Sequence, residues 1–118
     1  MTTFSPKRVY IAGKVTGLDI NEYRNNFAKA VEFAAEYFGV ETVNPILLGG
    51  EEYTWQENMK FCIAELMKCD TVIFIPGWET SNGAKLEYTI AKSLGYNLGE
   101  FDLSLAGPEK FRDIHEIS

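Results

Sequence analysis

The 118 residues, 46% of them apolar and 24% charged, have the composition of one globular domain with a core large enough to need no disulfide or metal staple. A net charge of −6 argues against a broad basic face for nucleic acid, yet leaves room for a small anion held by a few local donors. The chain has neither an apolar run near the ~20 residues of a membrane span nor a signal-like apolar core at its N-terminus, so no membrane partner and a cytoplasmic location are expected.

Arg8-Val9-Tyr10-Ile11-Ala12 is a short β-prone run ended by Gly13, with Gly17 closing a loop four residues later. Asp19 is a helix cap, with Glu22 three residues on as its capping-box partner. Tyr23, Phe27, Ala30, Val31, Ala34 and Phe38 follow at helical spacing, and Gly39 stops the helix. Val40–Val43 reads as a second strand, cut by Asn44-Pro45. A loop through Gly49-Gly50 leads to Thr54-Trp55-Gln56-Glu57, another capping box, opening a helix with Trp55, Met59, Cys62, Ile63, Leu66 and Met67 as its apolar positions. Cys62 and Cys69 are expected on that same helix, about 10 Å apart at a rise of 1.5 Å per residue. That is too far to bridge, so reduced thiols are the reading. With His115 as the single histidine, no metal-ligand pattern emerges, and neither metal nor cofactor is expected.

Thr71-Val72-Ile73-Phe74-Ile75 is a buried strand that breaks at Pro76-Gly77, and a third helix spans about 83–95. Beyond Gly95-Tyr96 the pattern weakens to a short edge strand over 101–105 and a short amphipathic helix over 108–117. Strands alternating with helices of this length imply an α/β fold, a parallel sheet with helices on both faces, in a single domain. Ligands of such sheets bind beyond the carboxyl ends of the strands. That rule gathers Gly13–Gly17, Asn44–Tyr53 and Pro76–Gly83 at one edge.

The richest stretch is Trp78 through Glu87. Ser81 or Asn82 caps the third helix and aims its first N–H groups, with those of Gly83, at the crevice above the strand, an arrangement that suits a phosphate. The same residues are more often just a helix cap than an anion site. Gly13-Lys14-Val15-Thr16-Gly17 is either an anion loop or an ordinary strand-to-helix turn. Trp78 is either a lid for a flat ring or a plug on the core. Glu87, one turn into the helix, is either a solvated carboxylate or a nucleophile. Its place near the positive helix end argues that it stays ionised at neutral pH. A carboxylate, a donor cap and an aromatic ring together suit attack on an anomeric carbon, as in retaining glycosidases.

The set Val9-Tyr10-Ile11-Ala12-Gly13, Asn44-Pro45, Thr54-Trp55, Cys69-Asp70, Gly77-Trp78-Glu79 and Ser81-Asn82-Gly83-Ala84-Lys85-Leu86-Glu87, with Ala91 and Leu94-Gly95, resembles a small phage and bacterial family. That family is similar to nucleoside 2-deoxyribosyltransferases and to deoxynucleoside 5′-monophosphate N-glycosidases. The resemblance spans about residues 8–98. It implies a Rossmann-like (flavodoxin-like) three-layer sandwich, usually dimeric, with the catalytic glutamate at Glu87 and its orienting tyrosine at Tyr10. It implies a nucleoside or nucleotide as ligand, its phosphate gripped by Gly13, Lys14, Thr16 and Gly17 and by Ser81, and a homodimer packed through the second and third helices. Trp55, Met59, Tyr88 and Tyr96, on predicted helices or helix ends, are either its apolar surface or core.

The sequence departs from the family at one place. An aspartate that helps to protonate the leaving base is replaced by Cys62, and Asp70 compensates only if its side chain reaches the crevice. A thiol is the poorer acid for a departing base. Three functions stay open: a glycosidic-bond enzyme working through Glu87, a nucleotide-binding protein without turnover, and a small assembly module.

Overall fold

Strand β1 (Arg8–Ala12) alternates its side chains between two covered faces. Val9 and Ile11 face one way, joining Ile73 and Phe101 against Phe27, Ala30 and Ala34 of helix α1 (Ile20–Phe38). Tyr10 and Ala12 face the other way, joining Val72, Phe74 and Leu98 against Leu66 of helix α2 (Trp55–Leu66) and Ala84 and Ala91 of helix α3 (Asn82–Ser93). A sheet apolar on both faces must be covered on both, and this division of the helices does so. The computed structural model describes residues 5–101 and, as backbone, residues 111–113.

Strands β2 (Glu41–Val43), β3 (Thr71–Phe74), β4 (Asn97–Phe101) and β5 (Phe111–Asp113) complete one sheet in the order β2-β1-β3-β4-β5. The first four strands are parallel, and β5 runs antiparallel beside β4. The expected α/β three-layer architecture is therefore present, with α1 on one layer and α2 and α3 on the other.

Local signals set most boundaries. Gly39 closes α1 with a left-handed φ of 68° and its N–H on Ala35 O, a conformation that disfavours any residue with a Cβ. Thr54 and Glu57 form the reciprocal capping box of α2. Asp19 also caps, but it accepts from Asn21 N at 3.0 Å and not from Glu22.

Three expectations need correction. Helix α2 stops at Leu66, so Cys69 lies beyond it, buried; both thiols are free. The fourth strand covers 97–101 and meets the expected 101–105 only at Phe101; residues 102–105 lie outside the described residues. Residues 111–113 of the expected C-terminal helix are strand β5, while 108–110 and 114–117 lie outside the described residues. Tyr88 and Tyr96 pack on the molecule's own core, and the Tyr96 hydroxyl donates to Leu66 O at 2.9 Å. Part of each side chain is therefore taken up by the fold itself, and the rest is half-exposed. Among the described residues, no helix is long and apolar enough to cross a membrane.

Candidate functional site

The chain leaves β1 for β2 on one side and returns to β3 on the other. The carboxyl ends of β1 and β3 therefore flank the point where strand order reverses, the place where open α/β sheets hold ligands. A crevice of about 430 Å³ opens there, within the usual range for small-molecule sites.

Three polar side chains, two of them buried, meet at its floor. Tyr10 comes from the middle of β1 and is wholly covered, and Glu87 comes from the second turn of α3 with 6% of its surface exposed. The Tyr10 hydroxyl donates to Glu87 Oε2. Cys62, half-buried on α2, joins this pair and interacts with both the phenol and the carboxylate. Burial dominates the ionisation of all three. Glu87 is pushed up to about 7, and the Tyr10 hydrogen bond offsets only part of that rise. The Cys62 thiol is pushed up to about 11, and the Tyr10 phenol is held far above its ordinary range by burial and by the neighbouring carboxylate. The expectation that the helix end keeps Glu87 ionised is thus overturned. Lost hydration of a covered carboxylate outweighs a partial charge that is screened and weakens within one turn.

Above the floor, Ser81 caps α3 by accepting from Ala84 N at 3.2 Å, which leaves its hydroxyl proton free to donate. Gly83 lets α3 approach α2 closely, since a Cβ there would stand 3.1 Å from Met59 Sδ. Gly13 has the same role beneath α1: a Cβ would stand 3.0 Å from Ile75 Cδ1 and 3.2 Å from Phe27 Cζ. At both positions the missing side chain brings backbone to the crevice wall.

Of the residues expected at the site, Tyr10, Gly13, Thr16, Ser81, Gly83 and Glu87 line this crevice. Lys14 and Asn82 line a cavity of about 390 Å³ that shares Thr16, Trp55, Ser81 and Gly83 with it. Gly17 turns the loop with a φ of 89° and lines neither space. Trp78 and Asp70 do not belong to the site. Trp78 is a core plug: its ring packs on Phe74 and stacks on Tyr88 at 5.1 Å, and its Nε1–H donates to Glu100 Oε2 at 2.9 Å. Asp70 stands at the opposite end of the sheet, where it accepts from the backbone N–H groups of Lys7 and Arg8 at 3.0 and 3.3 Å. It is in no position to protonate a leaving base.

Arg24, in the second turn of α1, and Asn58, on α2, line the crevice without any signal in the sequence, while Glu51, on the loop before α2, lies in the Asn44–Tyr53 stretch that the strand-end rule gathers at this edge. Asn58 clasps that loop from two sides, accepting from Gly50 N and donating to Gly50 O, each at 3.1 Å. Gly49 must be small for this clasp, because a Cβ there would fall 1.9 Å from Asn58 Oδ1. Only the glycine pair beside a helix start hinted at the contact.

Among the described residues, no group of three or more His, Cys, Asp or Glu side chains comes together to hold a metal. The arrangement supplies a carboxyl group with one oxygen held by a phenol, a cap with spare donors, and aromatic walls from Tyr23, Tyr53 and Trp55. No curated protein matches the chain in sequence. Residues 7–99 match the protein family described as "Domain of unknown function (DUF4406)", and the chain belongs to that family.

Proposed function

We propose that the chain cleaves or transfers at the N-glycosidic bond of a nucleoside or deoxynucleoside, or of its 5′-monophosphate, with Glu87 as the nucleophile. The observation that carries this reading is the buried pair on the crevice floor, Tyr10 hydroxyl on Glu87 Oε2. The phenol fixes one carboxylate oxygen and leaves the other free to attack C1′ of the sugar. The breaking bond has oxocarbenium character, which an adjacent carboxylate stabilises, and a covalent glycosyl-enzyme follows as in retaining glycosidases. Water or a second base then takes the sugar. The Ser81 hydroxyl, the N–H groups of Asn82 and Gly83, and Lys14 and Thr16 of the first loop supply donors for a phosphate. Attack needs the ionised form of Glu87, so turnover should rise with pH through about 7. Incubation with a panel of deoxynucleosides and their 5′-monophosphates, read by released base in wild type and Glu87→Gln, tests this reading. Release at the wild-type rate from the variant would end it.

One observation favours a second reading, nucleotide binding without turnover. The group beside the catalytic pair is Cys62, a poor acid whose proton is held up to about 11. Calorimetry that finds tight nucleotide binding where no base is released would select this reading.

The same proposal covers setting and assembly. The two free thiols fit a reducing cytoplasm. Trp55, Phe61 and Leu86 are exposed apolar side chains on α2 and α3, and they support a homodimer through those helices. Light scattering that finds a monomer at micromolar concentration removes that part.

A further inference from the structure

A leaving base needs somewhere for its bonding electrons to go. A purine or pyrimidine departing from a neutral nucleoside carries the pair away as an anion unless an acid protonates it. Among the described residues, the carboxyl groups that line the crevice are Glu87 on the floor and Glu51 on the exposed rim loop. Asp70, the remaining acid of interest, is bound to backbone N–H groups at the far end of the sheet. The group that touches the floor pair from α2 is the Cys62 thiol, and burial makes it hold its proton. The floor is thus built to attack a sugar carbon and poorly built to protonate a neutral base.

We infer that the preferred substrates of this crevice are N-ribosylpyridinium nucleotides, whose leaving group departs as a neutral pyridine. The inference rests on the reading of Glu87 as nucleophile and names the substrate class. The free Oε of Glu87 forms a bond to C1′, the C1′–N bond breaks, and its electron pair returns to the ring nitrogen and cancels the pyridinium charge. No proton is required in that step. Water then attacks C1′, the ester bond returns its pair to the carboxylate, and the water proton passes to solvent.

Three features of the site fit such a substrate. A cation brought beside Glu87 stabilises its ionised form, which burial alone disfavours, so the substrate itself charges the nucleophile. Attack then joins a negative and a positive group into neutral products, a change that a covered site of low dielectric favours. Tyr23, Tyr53 and Trp55 line the same space, aromatic partners that suit a flat cationic ring, while Arg24 on the wall and the Ser81 cap remain for the phosphate.

The test incubates the full chain at pH 8 with nicotinamide mononucleotide and, in parallel, with the four common deoxynucleoside 5′-monophosphates, and measures each released base by chromatography. Nicotinamide release should exceed the fastest neutral-base release by about tenfold or more in kcat/KM, part of the 10²–10⁴-fold that an acid ordinarily contributes. It should vanish in Glu87→Gln. The wild-type pH profile for nicotinamide release should show one rising limb and a plateau, which keeps the inference testable should that variant not fold. Neutral-base release equal to or faster than nicotinamide release overturns this inference and leaves the Glu87 reading standing. An alkaline fall in the nicotinamide profile, the mark of a required acid, overturns it in the same way. Release from none of the substrates overturns both, as does nicotinamide release that survives in a folded Glu87→Gln.

Discussion

The two ends of the parallel sheet hold similar residues in opposite states. At the amino end, Arg8 pairs with Glu41 at 3.2 Å and Glu65 at 3.3 Å, and its Nη1 reaches Cys69 Sγ at 3.6 Å. Asp70 beside it accepts backbone N–H groups and the Thr71 hydroxyl at 3.1 Å. At the carboxyl end, a carboxyl group and a thiol are again neighbours, but Glu87 is buried and Tyr10, a phenol, stands where the other end has a guanidinium. The Arg8 guanidinium holds Glu41 below the usual carboxylate range, whereas burial drives Glu87 up to about 7. One end satisfies its charges and steadies the fold. The other keeps an under-solvated acid at the bottom of a crevice, a cost to stability that fits the function proposed for it.

The widest separation between the ends should appear in activity. Glu87→Gln keeps the shape of the floor and removes the charge that the proposed attack requires, so base release should fall by about 10³-fold or more. Nucleotide affinity measured by calorimetry should change little. An intact rate would make the two carboxyl ends equivalent and remove the contrast.

The same variant should show the stability cost with the opposite sign. The folded Glu87 titrates near 7 against an ordinary 4.5. Below about pH 4.5 both folded and unfolded forms are protonated, and nothing is lost. Between 4.5 and 7 the unfolded chain ionises freely while the folded chain does not, so stability falls across that window and is flat above it. The loss amounts to about 3 kcal/mol. Glu87→Gln should therefore melt higher than wild type at pH 8 and close to it at pH 4. A variant less stable than wild type at pH 8 would show that the carboxylate is satisfied after all.

Asp70→Ala asks the converse question at the amino end. It orphans the N–H groups of Lys7 and Arg8 and the Thr71 hydroxyl, and should cost about 2 kcal/mol in urea denaturation. Base release per folded molecule should stay at the wild-type value. A drop in that rate, with stability unchanged, would return Asp70 to the crevice.

The contrast between the ends was partly readable in the sequence. Strand β1, the Gly39 stop and the Thr54–Glu57 box depend on neighbours within a few residues, and such signals survive in one dimension. The strand-end rule together with a resemblance points to Tyr10, Ser81 and Glu87. Strand β4 was not legible, because Asn97, Gly99 and Glu100 have low β-propensity and the strand owes its place to pairing with β3 and β5. Trp78 and Asp70 were ambiguous for a different reason: a loop aromatic or a strand-opening acid faces its partner only through tertiary packing. The state of Glu87 was misjudged because a helix end is visible in sequence, while the depth of burial is not. Arg24 and Asn58 look in the sequence like any solvated helix residues.

Tyr10→Phe is the smallest and most specific perturbation of the carboxyl end. The ring is wholly buried between β1 and the α2–α3 layer, and phenylalanine preserves its packing. What goes is the phenol's contact with the Cys62 thiol and its hydrogen bond to Glu87, the interaction that holds the carboxyl group's pKa down against burial. Two consequences should appear together. The rate at its pH plateau should fall by about tenfold, the scale of a single orienting contact. The midpoint of the rising limb should also move above the wild-type value near 7, because the ionised form has lost its donor. A merely structural tyrosine would lower the rate or the melting temperature and leave that midpoint where it was. A pH profile of base release across 5–10 for both proteins separates the cases, and an unmoved midpoint would mean that the phenol steadies the core and does not tune the nucleophile.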